Sequence, residues 1–398
     1  MLRRFHIASE DEIKQGKTTD IYFERTKKVL EAKGLCEKQT IAEVTVNELP
    51  NRWPWAILCG IEEVARLFEG IPVNIYSMPE GTLFHPADYR GVRVPVLLVE
   101  GAYCDYCVYE TPLLGLLCQA TGIATKAARF RKAAWESLLV SFGIRRMHPA
   151  IAPMIDRAAY IGGFDAVSCL VGAELIGEKP VGTMPHALVI LTGDVVAAVK
   201  AFNEVVEEEV PRIALVDTFF DEKAEALRAA EALAGKLYGV RLDTPSSRRG
   251  SLQEIVREVR WELDLRGYRH VKILVSGGIE EEAVPSLVEA GVDGFGVGTT
   301  LSNAPTVNFA LDIVEVEGRP IAKRGKLAGR KNVWRCKECL TYTVTSAAEP
   351  QPPCPVCQAA TEPMLKPLVL KGKIVRELPK PQAIRKYVLS QLEKVKQL

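Results

Sequence analysis

The chain has 398 residues, and at roughly 150 residues per domain that length makes two or three domains with a core large enough to fold without staples. Its 51 Lys and Arg offset 50 Asp and Glu to a formal net charge of +1, which argues against a disordered polyanion and against a nucleic-acid footprint spread over the surface. Apolar residues make up 47%, yet the uncharged stretches 111–125 and 180–193 are too short and too broken by polar residues, Gly or Pro to span a bilayer, and the N-terminus turns acidic without the apolar segment of an export signal. The expectation is a cytoplasmic protein with no membrane partner.

In chain order, residues 1–110 predict the first part of an α/β sandwich domain: a helix near 22–33, a strand over 40–46, a turn at 50–54, a short helix near 61–68 and strand-like stretches at 73–84 and 92–103. Cys104 and Cys107, spaced C-x2-C among β-branched and aromatic neighbours, are expected to line a core, with metal binding or redox work as the alternative. The Ala-rich pattern from Thr111 to Ser141, punctuated by Lys and Arg, predicts one long helix. Further on, within a domain set at 111–305, strand patterns at 166–170, 186–191, 212–219, 237–243, 271–278 and 292–300 alternate with amphipathic helices at 221–235, 251–267 and 280–291. Near-continuous Val, Ile and Leu in those strands implies a parallel sheet covered by helices. Six such strands, with no dinucleotide glycine fingerprint after the first, favour a closed or nearly closed β/α barrel over a doubly wound sheet. A linker at 306–335, basic over 323–331, leads to a ribbon at 336–360, and 361–398 supplies a strand pair and a terminal helix.

The ribbon carries Cys336, Cys339, Cys354 and Cys357, two C-x2-C pairs separated by fourteen residues. Each pair can wrap one face of a tetrahedron around zinc or iron, and four thiolates leave no position for water, so the site is expected to be structural. No dense basic face accompanies it, and a nucleic-acid partner is not expected.

In a parallel barrel the chemistry gathers where the strands' carboxyl ends meet the loops that follow. That rule selects Asp217 and Thr218, Arg241 and Asp243, Ser276, Gly277 and Gly278, and Gly298 and Thr299, with His186 opening a predicted strand. The two glycine loops fit a shared phosphate site, although tight turns alone would also explain them. Arg145 and the adjacent Arg146 carry guanidinium forks suited to pyrophosphate, or are solvated surface groups. Arg241 and Asp243 alternate along a strand and point the same way, either to pair or to divide an anionic group from ribose hydroxyls and magnesium. A lone His such as His186 is more often structural than catalytic.

Taken together these motifs resemble the nicotinate phosphoribosyltransferase family, with its nicotinamide-using relatives and, in broader outline, quinolinate phosphoribosyltransferase. The likeness runs from TDIYF at 19–23 through the segment 100–117, SFGIRR at 141–146, GTMPHAL at 182–188, LVDTF at 215–219, RLDTPSS at 241–247 and VSGG at 275–278 to GFGVGT at 294–299. The four-cysteine ribbon resembles an archaeal-type elaboration. The resemblance implies an irregular β/α barrel joined to an α/β sandwich, and a homodimer or higher homo-oligomer with sites between subunits. It further implies joining of nicotinate to phosphoribosyl pyrophosphate, with ATP as co-substrate, to give the mononucleotide used for NAD synthesis. On this likeness Tyr22 from a neighbouring subunit and Phe142 sandwich the pyridine, Arg145 binds pyrophosphate, and Arg241 meets the base or its carboxylate. Asp243 meets ribose hydroxyls and magnesium, Gly277, Gly278, Gly298 and Thr299 hold the 5'-phosphate, and His186 is the residue that ATP phosphorylates. Asp165 stands where many nicotinate-specific relatives carry a small polar or amide residue and the nicotinamide branch an aspartate, which brings a carboxylate toward the base. The alternatives are nicotinamide or quinolinate as the base and, outside catalysis, a metal-ribbon interaction protein with a degenerate barrel.

Overall fold

A computed structural model describes residues 4–395. The chain divides into two units, one formed by residues up to Thr125 together with those from Ala304 onward, the other by Lys126–Asn303.

The first unit is built on a seven-stranded antiparallel sheet in the order Arg319–Pro320, Phe309–Val316, Gln39–Val46, Leu97–Ala102, Asn74–Ser77, Lys366–Leu370, Lys373–Ile374. Part of the segment expected as a linker is thus the long strand Phe309–Val316, in register with Gln39–Val46. Helix Ile61–Phe68 buries Ile61, Val64, Ala65, Leu67 and Phe68 against this core, the spacing of a single apolar stripe, while Glu62, Glu63 and Arg66 fall between them. Each large side chain so buried stabilises the fold by about 2 kcal/mol. Strands Lys331–Cys336, Tyr342–Ser346 and Thr361–Pro363 form the ribbon. Buried Arg335 bonds Gln391 (2.6 Å), Glu362 (2.8 Å) and Tyr387 (2.8 Å), and so ties the ribbon to the terminal helix Pro381–Leu392. Cys104 is not a free core thiol: it forms a disulfide with Cys36, while Cys107 stays free and buried.

The second unit holds six parallel strands in the order Ala166–Val167, Leu138–Ser141, Gly294–Val297, Lys272–Ser276, Gly239–Leu242, Ile213–Leu215. Of these six, the last along the chain, Gly294–Val297, pairs with the first, Leu138–Ser141, so the sheet returns on itself and has its edges only at Ala166–Val167 and Ile213–Leu215. That cyclic order belongs to a barrel left open at one seam and not to a doubly wound sheet. Helix Leu252–Leu265, capped by Ser251, covers the sheet with Leu252, Val256, Val259 and Leu263.

Two expectations about elements are corrected. The long helix stops at Ala134, Trp135 takes a left-handed φ of 50°, and Leu138–Ser141 is a strand. Residues 186–192 are a helix and not a strand. An unbroken apolar run has no periodicity of its own to decide the matter. Here Gly193, left-handed at φ 85°, caps the helix, and Ile190 and Leu191 are exposed.

No helix among the described residues is long and apolar enough to cross a membrane.

Candidate active site

At the carboxyl ends of the barrel strands lies a cavity of about 460 Å³. Phe142 and Arg145 follow the strand ending at Ser141, and Ser168 follows Val167. Arg241 and Asp243 flank Leu242, Ser276 leads into Gly277 and Gly278, and Gly298 and Thr299 follow Val297. His186 lines the same cavity as the first residue of its helix. Parallel strands in register thus converge in one place residues that lie more than 150 positions apart in sequence.

Arg241, 9% exposed, is the hub of the site. Its Nη1 donates to Ser276 Oγ (2.9 Å) and lies 3.3 Å from Asp243 Oδ2, and its Nη2 donates to the Met184 carbonyl (3.0 Å). Ser276 Oγ in turn donates to Asp243 Oδ1 at 2.7 Å. The Nε of Arg241 is buried and has no partner among the described residues, so a donor is left over for a ligand. Arg145 and Arg146 also face the cavity, against a single lining carboxylate, Asp243, so the cavity favours an anionic guest.

The turn after Ser276 puts Gly277 and Gly278 at φ 83° and 68°, a left-handed pair that only glycine adopts readily, and a Cβ on Gly277 would come within 3.0 Å of Asp243 Oδ1. Thr300 Oγ1 donates to Glu280 (2.8 Å) and links this loop to the one that carries Gly298 and Thr299. The regular helix beyond Gly278 begins only at Val284, after a 3₁₀ turn at Glu281–Ala283, so a group seated at this turn would meet loop amides and not the end of an adjoining helix.

His186 Nε2 lies 3.0 Å from Asp217 Oδ1. The other oxygen of that buried carboxylate accepts from the Asp243 backbone N–H (2.7 Å) and from Thr244 Oγ1 (2.9 Å). Asp217 therefore stands behind the cavity, orienting the imidazole. Thr218 does not line the cavity: its backbone N–H donates to Glu225 (2.9 Å), and its hydroxyl is buried without a partner among the described residues. Glu225, fully buried, also accepts from the Phe219 N–H (3.2 Å) and so anchors the loop beyond Asp217. Sequence reasoning missed it, although a Glu on the same helical face as Ala226, Ala229, Ala230 and Leu233 was the available signal. Ser168 was missed as well, and the strand-end rule would have found it once Ala166–Val167 was seen to stop short.

Asp165 and Tyr22 do not line this cavity either, and Tyr22 is expected to act from a neighbouring subunit. Asp165 precedes the Ala166–Val167 strand, at the amino end of the sheet, where its carboxylate pairs with Arg131 and accepts the Leu139 N–H (2.9 Å). It faces a separate groove with Lys272 and Asp293, so this segment brings no carboxylate to the strand-end cavity, contrary to what the likeness implies. Tyr22 belongs to the first unit, exposed on helix Ile21–Ala32 with its ring against Phe23 (4.3 Å).

The sulfurs of Cys336, Cys339, Cys354 and Cys357 lie within 4.8 Å of one another, with contacts of 3.4–3.6 Å between Cys336 and Cys357, Cys339 and Cys354, and Cys339 and Cys357. Four thiolates about 2.3 Å from a common centre have separations of this order, so the cluster can hold a metal such as zinc. Backbone N–H groups of Glu338 (3.4 Å) and Val356 (3.4 Å) donate to Cys336 and Cys354 and support negative charge on the sulfurs.

Comparison with known proteins agrees with this architecture. Models for the quinolinate phosphoribosyl transferase N-terminal and C-terminal domains match residues 20–121 and 123–312. Nicotinate phosphoribosyltransferase pncB1 of Mycobacterium tuberculosis is 32% identical over 316 residues, covering 76% of this chain and 68% of that protein. The crystal structure of nicotinate-nucleotide pyrophosphorylase from Pyrococcus furiosus superposes with a TM-score of 0.95 at 61% identity over 99% of both chains. Human nicotinic acid phosphoribosyltransferase shares the fold, with a TM-score of 0.78 at 22% identity over 95% of this chain and 94% of that one. The strand-end cavity, the order of its motifs and these relatives together show that the chain belongs to the nicotinate phosphoribosyltransferase family.

Proposed function

We propose that the chain is a nicotinate phosphoribosyltransferase of NAD salvage, joining the ring nitrogen of nicotinate to C1 of phosphoribosyl pyrophosphate and releasing pyrophosphate. The observation that carries this is the grouping of Arg145, Arg241, Asp243, Gly277–Gly278 and Gly298–Thr299 around one cavity of sufficient size. Phe142 offers a face for the pyridine, and Tyr22 of a second copy would supply the other, in a homo-oligomer. Arg241 has a spare buried N–H for the base carboxylate, and Arg145 meets the leaving pyrophosphate. The glycine loops hold the 5'-phosphate. The transition state resembles a ribosyl oxocarbenium ion, so the residues act by alignment and charge stabilisation and need little acid–base work.

Asp243, a carboxylate on the cavity wall, suits magnesium, which is commonly held by one or two carboxylates and substrate phosphates. Bound there, magnesium would offset pyrophosphate charge. With Nε2 donating to Asp217, His186 keeps the Nδ1 lone pair free to take the γ-phosphoryl of ATP: an N–P bond forms, the P–O bond to ADP breaks, and Asp217 balances the imidazole's positive charge. The ribbon would hold zinc in a purely structural role, and the reaction would run in the cytoplasm.

Nicotinate is favoured over nicotinamide because Asp165 is turned away from the cavity and Ser168 is uncharged. Quinolinate remains the second reading because both matching family models carry its name, but its two carboxylates call for more cations than three lining arginines that must also serve phosphates. The test is mononucleotide formation from nicotinate, nicotinamide and quinolinate with magnesium and phosphoribosyl pyrophosphate, each with and without ATP. Product from nicotinate, stimulated by ATP, is expected, and His186→Ala should lose the stimulation while keeping some basal transfer. Product from quinolinate alone would overturn the choice of base, and no product from any would favour a noncatalytic ribbon protein.

A further inference from the structure

We infer that Asp156, which does not line the cavity, is a positioning residue that sets the spacing between Phe142 and Ser168 and thereby the affinity for the base. The inference rests on the proposed identity of the cavity, with Phe142 at its base end. Asp156 is fully buried on the inner face of helix Ala152–Ile161. Its Oδ1 accepts from Ser141 Oγ at 2.7 Å and its Oδ2 from the Cys169 backbone N–H at 3.2 Å. These donors sit on adjacent strand ends, each one residue from a cavity-lining group: Ser141 precedes Phe142 and Cys169 follows Ser168.

The ladder between the two strands has only two rungs, Val140 with Ala166 and Ser141 with Val167. Past the second rung the strands exchange no further backbone bond, and the Asp156 carboxylate takes the place of the next one. Phe142 is held on its other side, where its N–H donates to the Val297 carbonyl (2.8 Å), so the span toward Ser168 is the one that depends on Asp156. Helix Leu170–Ile176 rests on the same group: a Cβ on Gly172 would come within 2.7 Å of Asp156 Oδ2, so neither side of the clamp has slack. No cation among the described residues forms an ion pair with Asp156, and burial pushes its carboxyl up to about 6. A lone buried acid is a costly way merely to fill space, which points to its two hydrogen bonds as the reason for it.

The test compares Asp156→Ala and Asp156→Asn with the wild type in steady-state kinetics, together with hydrogen exchange of the Cys169 amide. Wild-type turnover of nicotinate is measured first; its absence would overturn the reading of the cavity, and exchange would still decide whether the tie exists. Asp156→Ala should raise KM for nicotinate about tenfold, change kcat less than about threefold and speed exchange at Cys169. Asp156→Asn, whose amide can accept from Cys169 and donate to Ser141 Oγ, should recover most of that loss. Should Asp156→Ala not fold, Ser141→Ala removes one tie alone and should raise KM by a smaller factor. An unchanged KM in Asp156→Ala or Ser141→Ala, or Asp156→Asn behaving like the Ala variant, would overturn the proposal.

Discussion

The two ends of the barrel sheet make an instructive pair. At the amino end a groove of about 620 Å³ is larger than the 460 Å³ cavity at the carboxyl end, and it too is lined by charged groups. Apart from the exposed Glu136, its charges are already matched: Asp165 with Arg131, Lys272 with Asp293 at 2.9 Å, and Asp293 also accepts the Ile273 N–H at 2.9 Å. At the carboxyl end Arg241 keeps a buried donor in hand, three arginines face one carboxylate, and the Gly277–Gly278 loop turns on two left-handed glycines. What separates a candidate site from a dent is bonding capacity left unspent, not volume.

The largest effect should follow substitution at the unsaturated end. Arg241→Ala is expected to lower kcat/KM for nicotinate about a thousandfold, roughly 4 kcal/mol of transition-state stabilisation, because it removes a charge-assisted contact and strands Asp243. Lys272→Ala at the opposite end, an exposed pair, should change kcat/KM less than about twofold. Comparable losses at both ends would break the contrast.

A second experiment sharpens it from the saturated side. Asp165→Asn should lower thermal stability by about 1–2 kcal/mol, since it leaves the mostly buried Arg131 guanidinium without its carboxylate, while the ratio of nicotinate to nicotinamide turnover stays as in the wild type. A shift of that ratio toward nicotinate would return Asp165 to the base site.

The last effect, confined to stability and to its pH dependence, concerns Asp156, behind the carboxyl end. Burial raises its folded-state pKa to about 6, above the unfolded carboxyl value, so between about pH 4 and 6 the native chain binds a proton that the unfolded chain does not. Its contribution to stability therefore falls as pH rises through that window, and the cost is complete above pH 6, at most about 3 kcal/mol. Asp156→Asn should raise the Tm at pH 7.5 and leave it near the wild-type value at pH 4; equal shifts at both pH values would contradict the burial effect.

Much of this was readable in the residues. The C-x2-C pairs located the ribbon, and the amphipathic stripe of Ile61–Phe68 and the strand ends at Asp217, Arg241 and Ser276 fell where their patterns placed them. Reading failed where a segment carried too little pattern. Residues 186–191 are apolar without period, Leu138–Ser141 is a four-residue strand joined to a helix, and Ala166–Val167 is so short that Asp165 and Ser168 lie at opposite ends of it. Cys36 and Cys104, 68 residues apart, gave no local sign of pairing.

By itself, then, the sequence determined most of the local elements, the thiolate quartet and which residue types were available at strand ends, since spacing and side-chain chemistry are properties of the chain alone. Only the tertiary structure decided that Gly294–Val297 pairs back onto Leu138–Ser141, that Asp165 is neutralised away from the cavity, and that Asp156 joins two strand ends from behind. Those outcomes depend on strand register and on burial against distant segments, and neither is encoded in any single stretch of residues.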